Sequence, residues 1–212
     1  YQLSHRPPLN TKLRDLTFVV FDTETTGFAI GAKDRLIEIG AVKVEGFQVT
    51  DETFHTYVNP HRPIPEQITE LTGISEEHVK DAPSSLEAIE SFFKFIEKCE
   101  SSGLVGHYLA FDMLVLKKEL SRHKTTFEDP LTFDTLDILG YLVPSWEMRD
   151  LEEYARAFST KIFDRHSAIG DALTTAHLFV ELLHYLEEYG KGTLGDLMEV
   201  TLANDESRAL QF

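Results

Sequence analysis

An α/β protein built on a mixed sheet with helices on its faces is predicted by two observations. Three strand-like runs come first, at 17–23, 35–44 and 52–59, joined by connections short enough for antiparallel neighbours. Helix and strand patterns then alternate, which is how parallel strands are joined. The expected sheet has five strands, three antiparallel followed by two parallel, flanked by helices.

Residues 1–15 are polar, carry Pro7-Pro8 and lack periodicity, so they are expected as an extended leader or linker. The first strand is apolar from Phe18 to Phe21. In the second, Ile37, Ile39 and Ala41 alternate with Glu38, Gly40 and Val42. Gly27 to Asp34 forms the first connection, and Glu45-Gly46 begins the second. The run Asn59-Pro60-His61-Arg62-Pro63-Ile64-Pro65 breaks the strand pattern, and short helices follow near 66–71 and 75–80. A stronger helix is predicted from Ser84 to Glu97. Ser84 and Glu87 make a capping-box pattern, and Leu86, Ile89, Phe93 and Ile96 form one apolar stripe. A strand at 103–107 leads to a helix at 111–122, and a strand from Leu131 to Phe133 leads to helices at 135–142 and 150–158. A long helix over 170–188 stops at Gly190. The main domain is therefore expected over 16–190, with 191–212 a C-terminal extension holding a short helix or a linker to further sequence.

The chain has 212 residues, the size of one domain with an appendage. It begins with Tyr1 and reads as a piece of a longer polypeptide. A single cysteine, Cys99, precludes an intramolecular disulfide and fits a reducing cytoplasm. Its place in an amphipathic helix pattern predicts packing rather than reactivity. No apolar run approaches the roughly 20 residues of a membrane span, so no membrane partner is expected. The formal net charge of −16 argues against a broad basic face. Any nucleic-acid partner must be held locally, by metal ions and a few side chains.

The first strand ends in Phe21-Asp22-Thr23-Glu24-Thr25-Thr26-Gly27-Phe28. Alternate strand residues share a face, so Asp22 and Glu24 bring two negative charges together and call for a cation between them. An isolated Asp-x-Glu is a weak signal, because a solvated turn explains it equally well. Further carboxylates recur at element ends. Asp112 opens the helix after the 103–107 strand, and Asp171 opens the long helix, five residues after His166. Taken singly, each Asp is explained by the helix dipole and His166 by a surface loop.

Together these pieces are diagnostic. They comprise Phe-Asp-Thr-Glu-Thr-Thr-Gly at 21–27, Leu-Ile-Glu-Ile-Gly-Ala-Val at 36–42 and Asn-Pro at 59–60. Ile-Thr-Glu-Leu-Thr-Gly-Ile at 68–74, Phe-Asp at 111–112, Phe-Asp-Thr at 133–135 and His-x-Ala-x-x-Asp-Ala at 166–172 follow. In order and spacing the chain resembles the DEDDh family of 3′–5′ exonucleases, and most of all the epsilon-type proofreading subunit of bacterial DNA polymerase III. The resemblance spans about three quarters of the chain.

The resemblance implies a ribonuclease-H-like fold and an exonuclease domain over 16–190. It implies two Mg²⁺ or Mn²⁺ ions held by Asp22, Glu24, Asp112 and Asp171, with His166 as general base. The backbone of Thr25, Thr26 and Gly27 and the side chain of Phe28 are expected to hold the 3′-terminal nucleotide, flanked by His107, Phe111, Leu71 and Thr72. The substrate implied is a single-stranded or frayed DNA 3′ end in proofreading or repair. A polymerase subunit or fused domains are the implied protein partners, and the cytoplasm the implied setting. RNA, as in oligoribonuclease-like and RNase T-like relatives, is the alternative substrate. A non-catalytic module that binds nucleic acid or protein is a third reading, opposed by the intact set of five chemical residues. One position departs from the pattern, since Tyr108 stands where the family commonly has Asn. The basic run from Lys117 to Lys124 reads either as a solvated helix end or as a backbone-tracking patch, the former favoured.

Overall fold

A computed structural model describes the backbone of residues 1–209 and the side chains of residues 1–203. Three strands open the body: β1 (Thr17–Thr25), β2 (Leu36–Glu45) and β3 (Gln48–Tyr57). Three helices follow: α1 (Glu66–Thr72), α2 (Glu76–Val79) and α3 (Ser85–Lys98). Then come β4 (Gly103–Gly106), α4 (Leu109–Ser121), β5 (Thr132–Asp134), α5 (Thr135–Leu142), α6 (Leu151–Ala157), α7 (Ala168–Glu188) and α8 (Leu194–Ala209). The sheet order is β3-β2-β1-β4-β5, with β1 antiparallel to β2 and parallel to β4, and β4 parallel to β5. This is the five-stranded mixed sheet expected from the sequence.

Strand parity divides the core. Phe18 and Val20 of β1, with Val42 and Val44 of β2, face α7, where they meet Phe179, Leu182 and Leu183. Val19 and Phe21, with Ile39 and Ala41, face α3 and α4 and meet Phe92, Phe93, Ile96 and Leu116. A buried Phe side chain contributes roughly 1.5–3 kcal/mol, so each face supplies substantial apolar stabilisation. Cys99 is buried at the end of α3, and desolvation pushes its thiol up to about 11, which suits packing. A buried ion pair joins sheet and helix: Arg35 Nε, just before β2, donates at 2.8 Å to Glu119 Oε1 in the last turn of α4.

Several boundaries differ from expectation, some for tertiary and some for local reasons. α4 begins two residues early because the Asp134 carboxylate, on β5, accepts from Tyr108 N and Leu109 N at 3.2 and 3.0 Å. α7 begins two residues early because Ser167 caps it, accepting from Gly170 N at 3.1 Å. At Ser84 the hydroxyl accepts from Glu87 N, while its own hydrogen turns to the Glu87 carboxylate. The extension at 191–212 carries a helix of 16 residues rather than a short one. Leu194, Leu197 and Val200 bury it in the core, and Thr193 and Asp196 cap it reciprocally. Residues 210–212 of that extension lie outside the described residues. Residues 1–15 run over the body with Leu3 and Leu13 buried and a one-turn 3-10 helix at Leu13–Asp15. Lys12 pairs with Thr193 in an antiparallel bridge.

Candidate active site

The same parity that builds the core places the acids. Asp22 and Glu24 continue the Phe18–Val20 face and therefore point toward α7, whose first turn supplies Asp171. One oxygen from each of Asp22, Glu24 and Asp171 lies within 4.8 Å of the other two. The β1–β2 register shifts between Glu24 and Thr25, a bulge that ends regular pairing where the carboxylates project. Thr23 points the opposite way, toward α4, and its backbone N donates to Asp112 Oδ1 at 3.1 Å while its hydroxyl donates to the same oxygen. Asp112 thus approaches the cluster from the other face of the strand.

Two glycines make the approach of α7 possible. A Cβ on Gly40, which pairs with Asp22 across the β1–β2 ladder, would lie 2.3 Å from Ile169 N. A Cβ on Gly170 would lie 1.9 Å from the Asp164 carbonyl oxygen. Nothing in the sequence motifs alone singled out Gly40 or Glu38 for these roles. The buried Glu38 carboxylate accepts from Ala168 N at 2.7 Å through one oxygen and lies 2.7 Å from His55 Nε2 through the other. It thereby fastens the start of α7 to β2 and β3. A carboxylate between Ile37 and Ile39, in the apolar first half of the strand, was the available signal.

The electrostatics are those of a crowded anionic site. Burial, followed by the charges of Asp112, Glu24 and Asp171, holds the Asp22 carboxyl well above the usual range. Burial, with Asp171 and Glu38 next, pushes Glu24 up to about 9. Burial carries Asp112 up to about 7 against the lowering effect of its Thr23 hydrogen bonds. Asp171 is raised by burial and partly relieved by Arg165, whose Nε donates to Oδ1 at 2.9 Å. Asp22 Oδ2 is buried and has no hydrogen-bond donor among the described residues. A buried anion without a donor is costly, and a divalent cation shared with Glu24 and Asp171 satisfies it. The donor set, all oxygen, fits Mg²⁺ or Mn²⁺.

His166 sits beside Asp171. Its backbone N donates to Asp171 Oδ1 at 3.3 Å, and its φ of 65° is left-handed, an unfavourable conformation held in place by the surrounding loop. Thr26 is buried and its hydroxyl is committed to Asp34, at 2.9 Å, while the Thr25 hydroxyl donates to the Gly27 carbonyl at 2.7 Å. These hydroxyls fold the loop, Thr26 N donates to Arg35 O at 2.9 Å, and the Phe28 side chain faces outward. Phe28 is 91 % exposed and stands edge-on to Phe111 at 5.8 Å. His107 Nδ1 lies 2.7 Å from Thr135 Oγ1. Leu71 and Thr72 lie at the end of α1. Leu71 is exposed, and Thr72 donates its hydroxyl hydrogen to Ile68 O at 2.7 Å. A cavity of about 790 Å³ lies elsewhere, between α4, β5 and α8, and none of the four carboxylates lines it. In the basic run, Lys117 pairs with Asp129 at 2.9 Å and Arg122 donates to Ala32 O at 2.8 Å, so part of it is structural.

Comparison with known proteins bears on the family and the fold. The exonuclease family model of RNase T type matches residues 19–179. The DNA polymerase III PolC-type protein of Caldanaerobacter subterraneus subsp. tengcongensis is 37% identical over 188 residues, covering 89% of this chain and 13% of that protein. The DNA polymerase III subunit epsilon-like protein of Rhodobacter capsulatus is 37% identical over 191 residues, covering 89% of this chain and 27% of that protein. The chain thus spans a minor part of these relatives. Among solved structures, the nuclease domain of 3′hExo, a DEDDh family member bound to rAMP, aligns with a TM-score of 0.73 at 15% identity, covering 82% of this chain and 95% of that one. Exonuclease X in complex with 5′ overhanging duplex DNA aligns with a TM-score of 0.68 at 21% identity, covering 87% and 99%. By the family match, and with a ribonuclease H-like fold to carry it, the chain belongs to the exonuclease family.

Proposed function

We propose that the chain is a metal-dependent 3′–5′ exonuclease of the DEDDh type, releasing 5′-mononucleotides from DNA 3′ ends in proofreading or repair. The observation that carries this reading is the meeting of Asp22, Glu24 and Asp171 oxygens within 4.8 Å, next to His166. Asp22, Glu24, Asp112 and Asp171 would hold two Mg²⁺ or Mn²⁺ ions, whose chemistry would be to acidify the attacking water and neutralise charge on the leaving 3′ oxygen. His166 accepts the proton of the attacking water, a task suited to imidazole near neutral pH. Glu38 and Gly40 keep Asp171 in reach by seating the start of α7. The backbone from Thr25 to Gly27, with Phe28, His107 and Phe111, receives the terminal nucleotide. Leu71 and Thr72 complete that pocket in this reading.

The 16–190 body is the exonuclease unit. Its longer relatives bear polymerase names, which supports a polymerase subunit or fused domains as partners and a cytoplasmic setting. No described helix is long and apolar enough to cross a membrane. RNA remains the second substrate reading, favoured by the likeness to a nuclease domain bound to rAMP. The test is incubation with 5′-labelled single-stranded DNA and RNA of equal sequence, with Mg²⁺, Mn²⁺ or chelator. A DNA ladder shortened from the 3′ end is expected. Equal or better RNA degradation moves the assignment to RNA, and no metal-dependent cleavage by folded protein refutes both. His166→Ala is expected to lose about 10²-fold or more in turnover while retaining Mn²⁺ binding by calorimetry.

A further inference from the structure

Large apolar side chains gather where the start of α4 meets the 143–150 loop. Tyr108 is 49 % exposed and leads into α4, three residues before Phe111 and four before Asp112. Its hydroxyl donates to Met148 Sδ at 2.7 Å, and Met148 is itself 60 % exposed. Trp146 follows on the same 143–150 loop, packed on Phe158 at 5.7 Å and capped by the Arg149 guanidinium at 4.2 Å. Tyr154 secures the loop, its hydroxyl accepting from Arg149 N at 3.3 Å and its ring meeting His107 at 5.9 Å.

The sheet fixes where this shelf lies. β4 runs parallel to β1 and ends at Gly106, beside Phe21, so His107 and Tyr108 leave the sheet at the end where Asp22 and Glu24 project. The Tyr108–Met148–Trp146 shelf and the Phe28–Phe111 pair therefore meet at the start of α4, at the sheet end where the carboxylates project. An exposed row of aromatic and thioether groups carrying one guanidinium matches the way single strands are gripped, with bases on flat faces and a phosphate near a cation. In a chain of net charge −16 such a local grip substitutes for a basic groove.

We propose that Tyr108, Met148 and Trp146, with Arg149, form the seat for the nucleotides just upstream of the scissile bond, so that the strand lies across the carboxylates from this shelf to the Phe28–Phe111 pocket. The proposal rests on the nuclease reading above. It makes Tyr108, at the position where the family commonly has Asn, part of a stacking surface.

The test compares two substrates with Mn²⁺. One is the p-nitrophenyl ester of thymidine 5′-monophosphate, which offers one nucleotide and no upstream neighbour. The other is a short oligothymidylate. In Trp146→Ala and Met148→Ala, ester hydrolysis stays near wild type while KM for the oligonucleotide rises about tenfold, the size of one lost base stack. Trp146 is the chain's single tryptophan, so its fluorescence is quenched by the oligonucleotide and not by thymidine 5′-monophosphate in the wild-type protein. Equal losses on both substrates, unchanged oligonucleotide kinetics, or fluorescence indifferent to the oligonucleotide overturn the shelf. A wild-type protein that hydrolyses neither substrate overturns the nuclease reading instead, so the two failures are told apart.

Discussion

Arg165 is the cation nearest the acidic cluster in these contacts, and its guanidinium is shared between Asp171 at 2.9 Å and Glu152 at 3.8 Å. It lowers the charge cost of Asp171 and competes with any metal for the same oxygen. Arg165→Met is therefore expected to tighten Mn²⁺ binding by about threefold, the value of a partly exposed ion pair near 0.6 kcal/mol. Calorimetric titration checks the sign, because weaker binding means that Arg165 chiefly orients Asp171. The raised carboxyls carry a pH signature as well. Glu24 ordinarily titrates near 4.5 and is held near 9 in the folded protein, so the folded state binds its proton more tightly. That contribution to stability is complete below pH 4.5 and is lost as pH rises toward 9. Metal-free protein is expected to melt progressively lower across that window, and Mn²⁺ at about 100 times its Kd to restore about 2.7 kcal/mol, with chelator reversing the gain. Thermal melts at several pH values that show no metal-dependent slope refute this account. At this scale the site was legible: period-two alternation put Asp22 and Glu24 on one face from the letters alone. The commitment of the Thr26 hydroxyl to Asp34 was not, because nothing local distinguishes a hydroxyl that binds a ligand from one that folds a loop.

At the level of elements, the decisive join is α7 on β2. Ala168 and Ile169 rest directly on Gly40, and Glu38 holds the first helical amide. Gly40→Ala must displace that helix start, since a Cβ there overlaps backbone rather than a yielding side chain. The expected cost is about 1–3 kcal/mol in denaturant unfolding, with a fall in kcat larger than the stability loss explains. Activity that merely tracks the folded fraction refutes the positioning role. Gly40 reads in the sequence as one small residue in an alternating strand, and only the arrival of a helix more than a hundred residues later gives it meaning. The start of α4 has the same character, because its cap comes from Asp134 on β5. The α8 start is different. Thr193-x-x-Asp196 is a local capping pattern, legible in advance, and the helix it begins was underestimated for want of an apolar stripe longer than Leu194, Leu197 and Val200.

For the whole molecule, charge sets the mode of binding. With 36 acidic against 20 basic side chains, and several of the basic ones paired internally, few phosphates can be met by protein cations. The logarithm of DNA affinity is accordingly expected to fall with the logarithm of salt concentration with a slope of about 3 or less, against roughly 0.9 for every phosphate neutralised on duplex DNA. Fluorescence titration at several salt concentrations measures it, and a steep slope points to a basic track outside the region described. The fold class and strand order were readable because antiparallel strands joined by short turns, followed by helix-strand alternation, leave few topologies. The bridge between Lys12 and Thr193 has a different import. It makes the segments before β1 and after α7 neighbours, and α8 then carries the outgoing chain back into the core. The bridge is thus a clasp across both flanks of the sheet, and a pull on either flank must unzip it before any strand is peeled away.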